Sequence, residues 1–270
     1  MKTSIGFLGA GKMAEGILAA AAAVKGFNAS RVTMAEKSPE RARYMEKKYG
    51  VRTTASAAEA AKAADVLVLA VKPQDVASVA AETKPYMDGG KLLISIAAGK
   101  TTAVLRKAFG TKARIVRVMP NLALVAKEGM SAIAGAKNAT EEDIAFAERL
   151  LGAAGKTVRL PEKAFDAVTA LSGSGPAFYA YMEQAMADAG RELGLPAAAA
   201  ALLARQTMFG TAAYLRATGA NCDDFIAAVC SKGGTTAAGM KALSARGAFR
   251  KTVSATLKAA AERSAELAKV

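Results

Sequence analysis

The chain has 270 residues, 52% of them hydrophobic, with 37 Lys and Arg against 23 Asp and Glu, a net charge of +14, and neither histidine nor tryptophan. That length and apolar share allow two domains with a sizeable core, whereas two cysteines and no histidine are too few soft ligands for a zinc-type site, so no metal is expected. The basic residues are scattered, with Arg41, Arg43, Lys47 and Lys48 interleaved with Glu40 and Glu46, and stacking aromatics are scarce; anionic small molecules are expected as partners and nucleic acid is not.

The chain opens on an apolar strand at 4–8, followed at once by the loop "GAGKMAEG". Gly9, Gly11 and Ala14 fit G-x-G-x-x-G/A, with a helix starting near Lys12. The chemistry behind that spacing is a tight turn, a close backbone approach to a pyrophosphate and close helix-to-strand packing, with helix-start N–H groups holding the anion. Gly9, Ala10, Gly11, Lys12, Met13 and Ala14 are therefore candidate cofactor residues. Lys12 and Glu15 interrupt what would otherwise resemble a secretory apolar segment, and the longest apolar run, 17–24, is too short for a bilayer; a cytoplasmic protein with no membrane association is expected. Cys222 and Cys230 are then expected to be reduced.

Further strands are expected at 31–35, 66–71, 92–96, 115–118, 130–134 and 157–160, with helical patterns such as 39–49 and 101–109 between them. This alternation predicts a doubly wound, Rossmann-like α/β sheet with its ligand crevice at the carboxyl ends of the strands. The strand ends "AVKPQ", "IAAG" and "MPN" would fall on that crevice. Where the second strand ends, in "AEKSPER", Glu36 suits a ribose diol whereas Lys37 and Arg41 suit a 2′-phosphate; NADP(H) is expected to be preferred, with NAD(H) usable.

After Pro161 the strand signal stops and Ala-rich helical patterns cover 162–170, 176–193, 196–217, 223–229, 235–246 and 249–267. The expected division is a dinucleotide-binding domain at 1–161 and an all-α domain at 162–270. Helices this rich in alanine bury little per residue, which points to partnership with a second copy. Two loops break the pattern with glycines and hydroxyls, "LSGSGPAF" at 171–178 and "CSKGGTT" at 230–236. Each sets N–H and O–H donors at a helix start, suited to a carboxylate or phosphate. Capping of the following helix by Ser231 and Thr235 is the alternative for the second loop.

Together "FLGAGKMAEG", "LAVKPQ", "SIAAG", "RVMPN", "AVTALSGSGPAF" and "SKGGTT" resemble the pyrroline-5-carboxylate reductase family over essentially the whole chain. The resemblance implies NAD(P)H-dependent hydride transfer to the C=N of 1-pyrroline-5-carboxylate, the last step of proline biosynthesis. It also implies a helical dimerisation domain, homodimers assembling in some members into larger rings up to decamers, and a site built across the dimer interface. Carried over by position, Ser38 would lie near the adenosine ribose, and Ala70, Val71, Lys72, Pro73 and Ala97 near the nicotinamide ribose with Asn121 close by. Glu162, Ser231, Gly233, Gly234, Thr235 and Thr236 would meet the cyclic imino acid, with Thr236 in the catalytic role. Lys232 stands where the family has proline, Leu122-Ala123 follow Asn121 where it has Thr-Pro, Ala57 replaces an asparagine near the adenosine, and Ala228 replaces a position often polar. A related imine or 3-hydroxyacid-type NAD(P)-dependent oxidoreductase is the alternative, although the expected lysine is missing from "GSGPAFYAYMEQAMADAG". A nucleotide-sensing binding protein without turnover is the non-enzymatic alternative.

Overall fold

A computed structural model describes residues 3–88 and 90–268. In chain order the first half contains β1 (Ile5–Leu8), α1 (Lys12–Ala22), β2 (Val32–Ala35), α2 (Pro39–Tyr49), β3 (Arg52–Thr54), α3 (Ala57–Ala63), β4 (Val66–Leu69), α4 (Val76–Thr83), β5 (Leu92–Ser95), α5 (Thr102–Phe109), β6 (Arg114–Met119), β7 (Gly129–Gly135), α6 (Glu141–Gly152) and β8 (Gly155–Arg159). The strands form one sheet in the order β3-β2-β1-β4-β5-β6-β7-β8. Strand β7 alone runs antiparallel to a neighbour, β6. Its link, 120–128, is shorter than the dozen or more residues a parallel crossover needs.

The central strands, Ile-Gly-Phe-Leu, Val-Leu-Val-Leu and Leu-Leu-Ile-Ser, are buried along their whole length, because helices cover both faces of the sheet. The two-residue period of each strand divides its side chains between two cores. Ile5, Phe7, Val66, Val68, Leu92 and Ile94 face a core that takes in residues of α1, α2 and α6. Leu8, Leu67, Leu69 and Leu93 face a second one with residues of α3, α4 and α5. Each such fully buried large side chain stabilises the sheet by about 1.5–3 kcal/mol.

All seven strands expected from the sequence are present, with ends shifted by one or two residues. Strand β3 is the addition. It has three polar residues, none fully buried, at the sheet edge, too few to show a period.

The rest of the chain is helical: α7 (Phe165–Val168), α8 (Gly175–Glu192), α9 (Ala197–Thr218), α10 (Cys222–Val229), α11 (Thr235–Leu243) and α12 (Ala248–Leu267). In place of the loop expected at 171–178, a π-helical turn spans Thr169–Gly173 and α8 follows from Gly175 in the chain. Ser174 N donates to the Thr169 carbonyl at 2.8 Å, a five-residue spacing, so the glycines and serines widen a helical turn rather than end it. The expected helix 235–246 ends earlier, at Leu243, because Arg246 adopts φ +53 in the turn before α12.

By packing, one compact unit runs to Ser174 and takes in the chain again from Ala260, and the other is Gly175–Ala259. This differs from the 161/162 division expected from the sequence. Residues after 161 stay with the sheet because Phe165 is buried against Ala132 and Ala134 of β7, and Glu162 bonds to Thr102 and Arg117. The end of α12 joins the same unit through Ser264, 4% exposed, whose hydroxyl donates to Asp166 Oδ1 at 2.7 Å. In the second unit α8 packs on α9, tied by Arg205 to Glu183 at 2.8 Å, and Tyr214 packs on Phe225 of α10 with ring centroids 5.1 Å apart. Tyr179, Tyr181, Met186, Leu202 and Phe209 of this unit are left exposed.

Candidate functional site

Four expected cofactor positions come from the carboxyl ends of adjacent strands. Gly9 follows β1, Ala70 follows β4, Ala97 follows β5 and Asn121 follows β6. The sheet therefore sets them in one row. Gly9 has φ +99, and a Cβ there would lie 2.9 Å from the Ala70 carbonyl oxygen, so both conformation and space require glycine. Its N–H donates to the Ala35 carbonyl at 3.0 Å, fastening the turn to β2. Val71, Lys72 and Pro73 continue from β4 into a 3₁₀ turn that begins at Pro73. Ala97 is 3% exposed, its methyl in the core, so only its backbone is available to a ligand. Asn121 Oδ1 accepts from Met130 N at 3.1 Å and holds the start of β7.

Helix α1 starts at Gly11 with no side-chain cap, and its first intrahelical bond is Glu15 N to Gly11 O at 2.9 Å. The amides of Lys12, Met13 and Ala14 precede that bond. By contrast α2, α3, α5, α6 and α10 are capped by Ser38, Ser56, Thr101, Thr140 and Asn221. Open space surrounds Gly11 where a Cβ would stand. An uncapped helix start beside open space fits a dinucleotide pyrophosphate.

The loop is braced from behind by residues whose role the sequence does not reveal. Arg41 Nε donates to the Ala10 carbonyl at 2.7 Å, and the same guanidinium bonds Glu15 at 2.6 Å. Glu15 also accepts from Lys48 Nζ, Tyr44 Oη and Tyr49 Oη, each at 2.9 Å. Burial raises the Glu15 pKa, but the bonds from Lys48, Arg41, Tyr49 and Tyr44 outweigh it and bring it down to about 2. Helix spacing alone explains why Arg41, Tyr44 and Lys48 share a face; that the face meets Glu15 is a tertiary fact.

At the end of β2, Glu36 Oε2 accepts from Ala10 N at 3.3 Å and Oε1 from Ser38 N at 2.9 Å. Ser38 Oγ accepts from Arg41 N, so the expected adenosine-side residue also caps α2. A cavity of about 240 Å³ opens here, lined by Gly9, Glu36, Lys37, Ala57, Asp75 and Glu82, among others.

Glu162, expected at the substrate, is engaged within the first unit. Its carboxylate accepts from Thr102 N at 2.7 Å, Thr102 Oγ1 at 2.6 Å and Arg117 at 3.0 Å. Burial raises its pKa, and these three bonds more than reverse the effect, leaving it lowered. Arg117, on β6, also stacks its guanidinium 4.6 Å from the Phe165 ring centroid. Thr102 and Arg117 were not singled out in the sequence, since one lies in a routine helix start and the other in a strand reading "RIVRVM".

In the second unit Ser231, Lys232, Gly233 and Gly234 form a turn, with Gly234 N donating to the Ser231 carbonyl at 3.0 Å and Gly233 at φ +74. Gly234 is the N-cap of α11 and no side chain caps it, so neither Ser231 nor Thr235 caps this helix as the alternative required. The amides of Thr235, Thr236 and Ala237 precede the first intrahelical bond, from Ala238 N to Gly234 O. The structure thus brings Ser231, Gly233, Gly234, Thr235 and Thr236 together around a second helix start with a glycine N-cap and no side-chain cap. Cys222 and Cys230 are free thiols, and no group of three or more metal-ligating side chains occurs among the described residues. No helix among the described residues is long and apolar enough to cross a membrane.

Residues 162–267 match the family model of pyrroline-5-carboxylate reductase dimerisation, and residues 4–99 match that of coenzyme F420-dependent NADP oxidoreductases. The chain is 40% identical over 263 residues to a pyrroline-5-carboxylate reductase of Arabidopsis thaliana, covering 97% of this chain and 95% of the relative. A solved pyrroline-5-carboxylate reductase of Coxiella burnetii superposes with a TM-score of 0.94 at 33% identity over the whole of both chains. A Plasmodium falciparum pyrroline carboxylate reductase solved with NADP bound gives 0.86 at 28% identity, covering 99% of this chain and 98% of that one.

Proposed function

The chain belongs to the pyrroline-5-carboxylate reductase family and is an NAD(P)H-dependent oxidoreductase with that activity; from this premise we propose that its two glycine-opened helices divide the work. The carrying observation is that α1 and α11 have a glycine N-cap and no side-chain cap, whereas a Ser, Thr or Asn side chain caps α2, α3, α5, α6 and α10, and the uncapped α4, α7 and α9 follow Asp75, Ala164 and Pro196. The first-turn amides of Lys12, Met13 and Ala14 hold the pyrophosphate, and the backbone after β4 and β5, at Ala70 to Pro73 and Ala97, lines the nicotinamide side with Asn121. When bound, the reduced nicotinamide supplies the hydride that the C=N carbon of 1-pyrroline-5-carboxylate accepts.

At the other helix start, the amides of Thr235 and Thr236 hold the substrate carboxylate, and Thr236 Oγ1 meets the ring nitrogen. The imine is basic enough to take its proton from solvent, so no strong general acid is needed, consistent with a chain that has no histidine. What the residues contribute is alignment, an effect that reaches about 7–11 kcal/mol in the best intramolecular models. Glu162 acts at one remove in this reading, fixing Thr102 and Arg117 beneath the β5 and β6 ends.

Both NADH and NADPH are proposed as usable. The exposed apolar side chains of the second unit, with the dimerisation family match, support an obligate homodimer or a multiple of it, up to a decamer. Free thiols fit a reducing compartment, and a cytoplasmic location is part of the proposal. The test is loss of reduced-nicotinamide absorbance on adding 1-pyrroline-5-carboxylate, with proline identified as product. Cofactor binding without turnover of that imine refutes the reading.

A further inference from the structure

The cavity beside Gly9 carries three carboxylates, Glu36, Asp75 and Glu82, against one ammonium, Lys37. In the sequence Lys37 and Arg41 together favoured a 2′-phosphate. The fold withdraws Arg41 from that task, since its guanidinium is held by the Ala10 carbonyl on one side and by Glu15 on the other. Lys37, exposed at the mouth of the same cavity, is then the one cation of this lining left to set against its three carboxylates. Glu36 is fixed, each oxygen accepting one backbone N–H. An ionised carboxylate has about four acceptor sites, so Glu36 keeps lone pairs for two hydroxyls. Glu82 is fixed likewise, accepting from Ser56 Oγ at 3.0 Å and Ala58 N at 3.1 Å.

A 2′-phosphate carries roughly 1.5 to 2 negative charges near neutral pH, and anchored carboxylates cannot swing clear of it. A vicinal diol carries no charge and donates two hydrogen bonds. We propose, resting on the reading that this unit holds the dinucleotide, that Glu36, backed by Asp75 and Glu82, makes the chain select NADH over NADPH. The preference read from the sequence is thereby reversed. Glu36 is the specificity-determining residue, acting as an acceptor toward the diol and as a like charge toward the phosphate.

The test uses the full-length protein and two readouts, calorimetric affinity for NAD⁺ and NADP⁺ and kcat/KM with NADH and NADPH. The expected wild-type preference for the unphosphorylated cofactor is about tenfold or more in both, narrowing as salt screens the carboxylates. Glu36→Gln is expected to improve NADP(H) about tenfold while weakening NAD(H) a few-fold; Asp75→Asn, which removes one of the backing charges, improves NADP(H) about two- to fivefold and changes NAD(H) by less than that. Equal or tighter binding of NADP⁺ by the wild type overturns the proposal, as does a Glu36→Gln variant that shifts both cofactors alike. Reduction of the imine with NADPH preferred refutes this inference while leaving the function intact. NAD⁺-selective binding without imine turnover supports the inference and refutes the function.

Discussion

Replacing Glu15 with glutamine removes the one charge on which Arg41, Lys48, Tyr44 and Tyr49 converge, with almost no change in volume. The displacement of Glu15 from 4.5 to about 2 corresponds to roughly 3 kcal/mol at about 1.4 kcal/mol per pH unit. Lys48, on the open side of the cluster, has its side chain 47% exposed, and solvent screening reduces the expected loss to about 1–2 kcal/mol. The sign is that of a depressed carboxylate: the contribution is fully present above pH 4.5 and is lost as the pH falls through about 2. Urea unfolding of wild type and Glu15→Gln, at one protomer concentration from pH 7 down to pH 3, reads this directly. The expected gap is about 1–2 kcal/mol at pH 7, shrinking below pH 4.5. Since Arg41 also holds the Ala10 carbonyl, KM for the dinucleotide should rise about two- to tenfold with kcat nearly unchanged. Equal stabilities at pH 7, or a gap that does not change with pH, would refute the assigned role of this cluster.

Thr236→Val should lower kcat/KM for the imine by about five- to a hundredfold, the worth of one hydrogen bond to a buried partner, with cofactor affinity unchanged; Lys232→Pro should have a smaller effect. A kinetically silent Thr236→Val with an inactive Lys232→Pro would make the lysine the important residue. Gly9→Ala should abolish measurable dinucleotide binding in calorimetry, because a Cβ would stand 2.9 Å from the Ala70 carbonyl at φ +99; retained affinity would show that the turn relaxes. Light scattering should find a homodimer or a multiple of it, and an active monomer would rule out the obligate assembly.

What the sequence by itself determined was whatever rests on local rules. The buried strands 4–8, 66–71 and 92–96 are legible because a parallel sheet covered on both faces demands unbroken apolar runs. Gly9 and Gly233 are legible because few other residues take φ +99 or +74, and Gly11 and Gly234 because each stands at a helix start with no side chain of its own to cap it. Strand β3 is illegible, because three polar residues owe their strand form to their neighbour β2. The fate of the charges needed the tertiary structure. Read along the chain, Lys37 and Arg41 look like a phosphate site, and the family resemblance makes Glu162 a substrate ligand. In the fold Arg41 is drawn onto Glu15 and Ala10, and Glu162 onto Thr102 and Arg117. A charged side chain goes where its opposite and its hydrogen-bond partners are fixed within a few ångströms, and here those partners lie 26 to 60 residues away in the chain, a separation over which no local pattern operates.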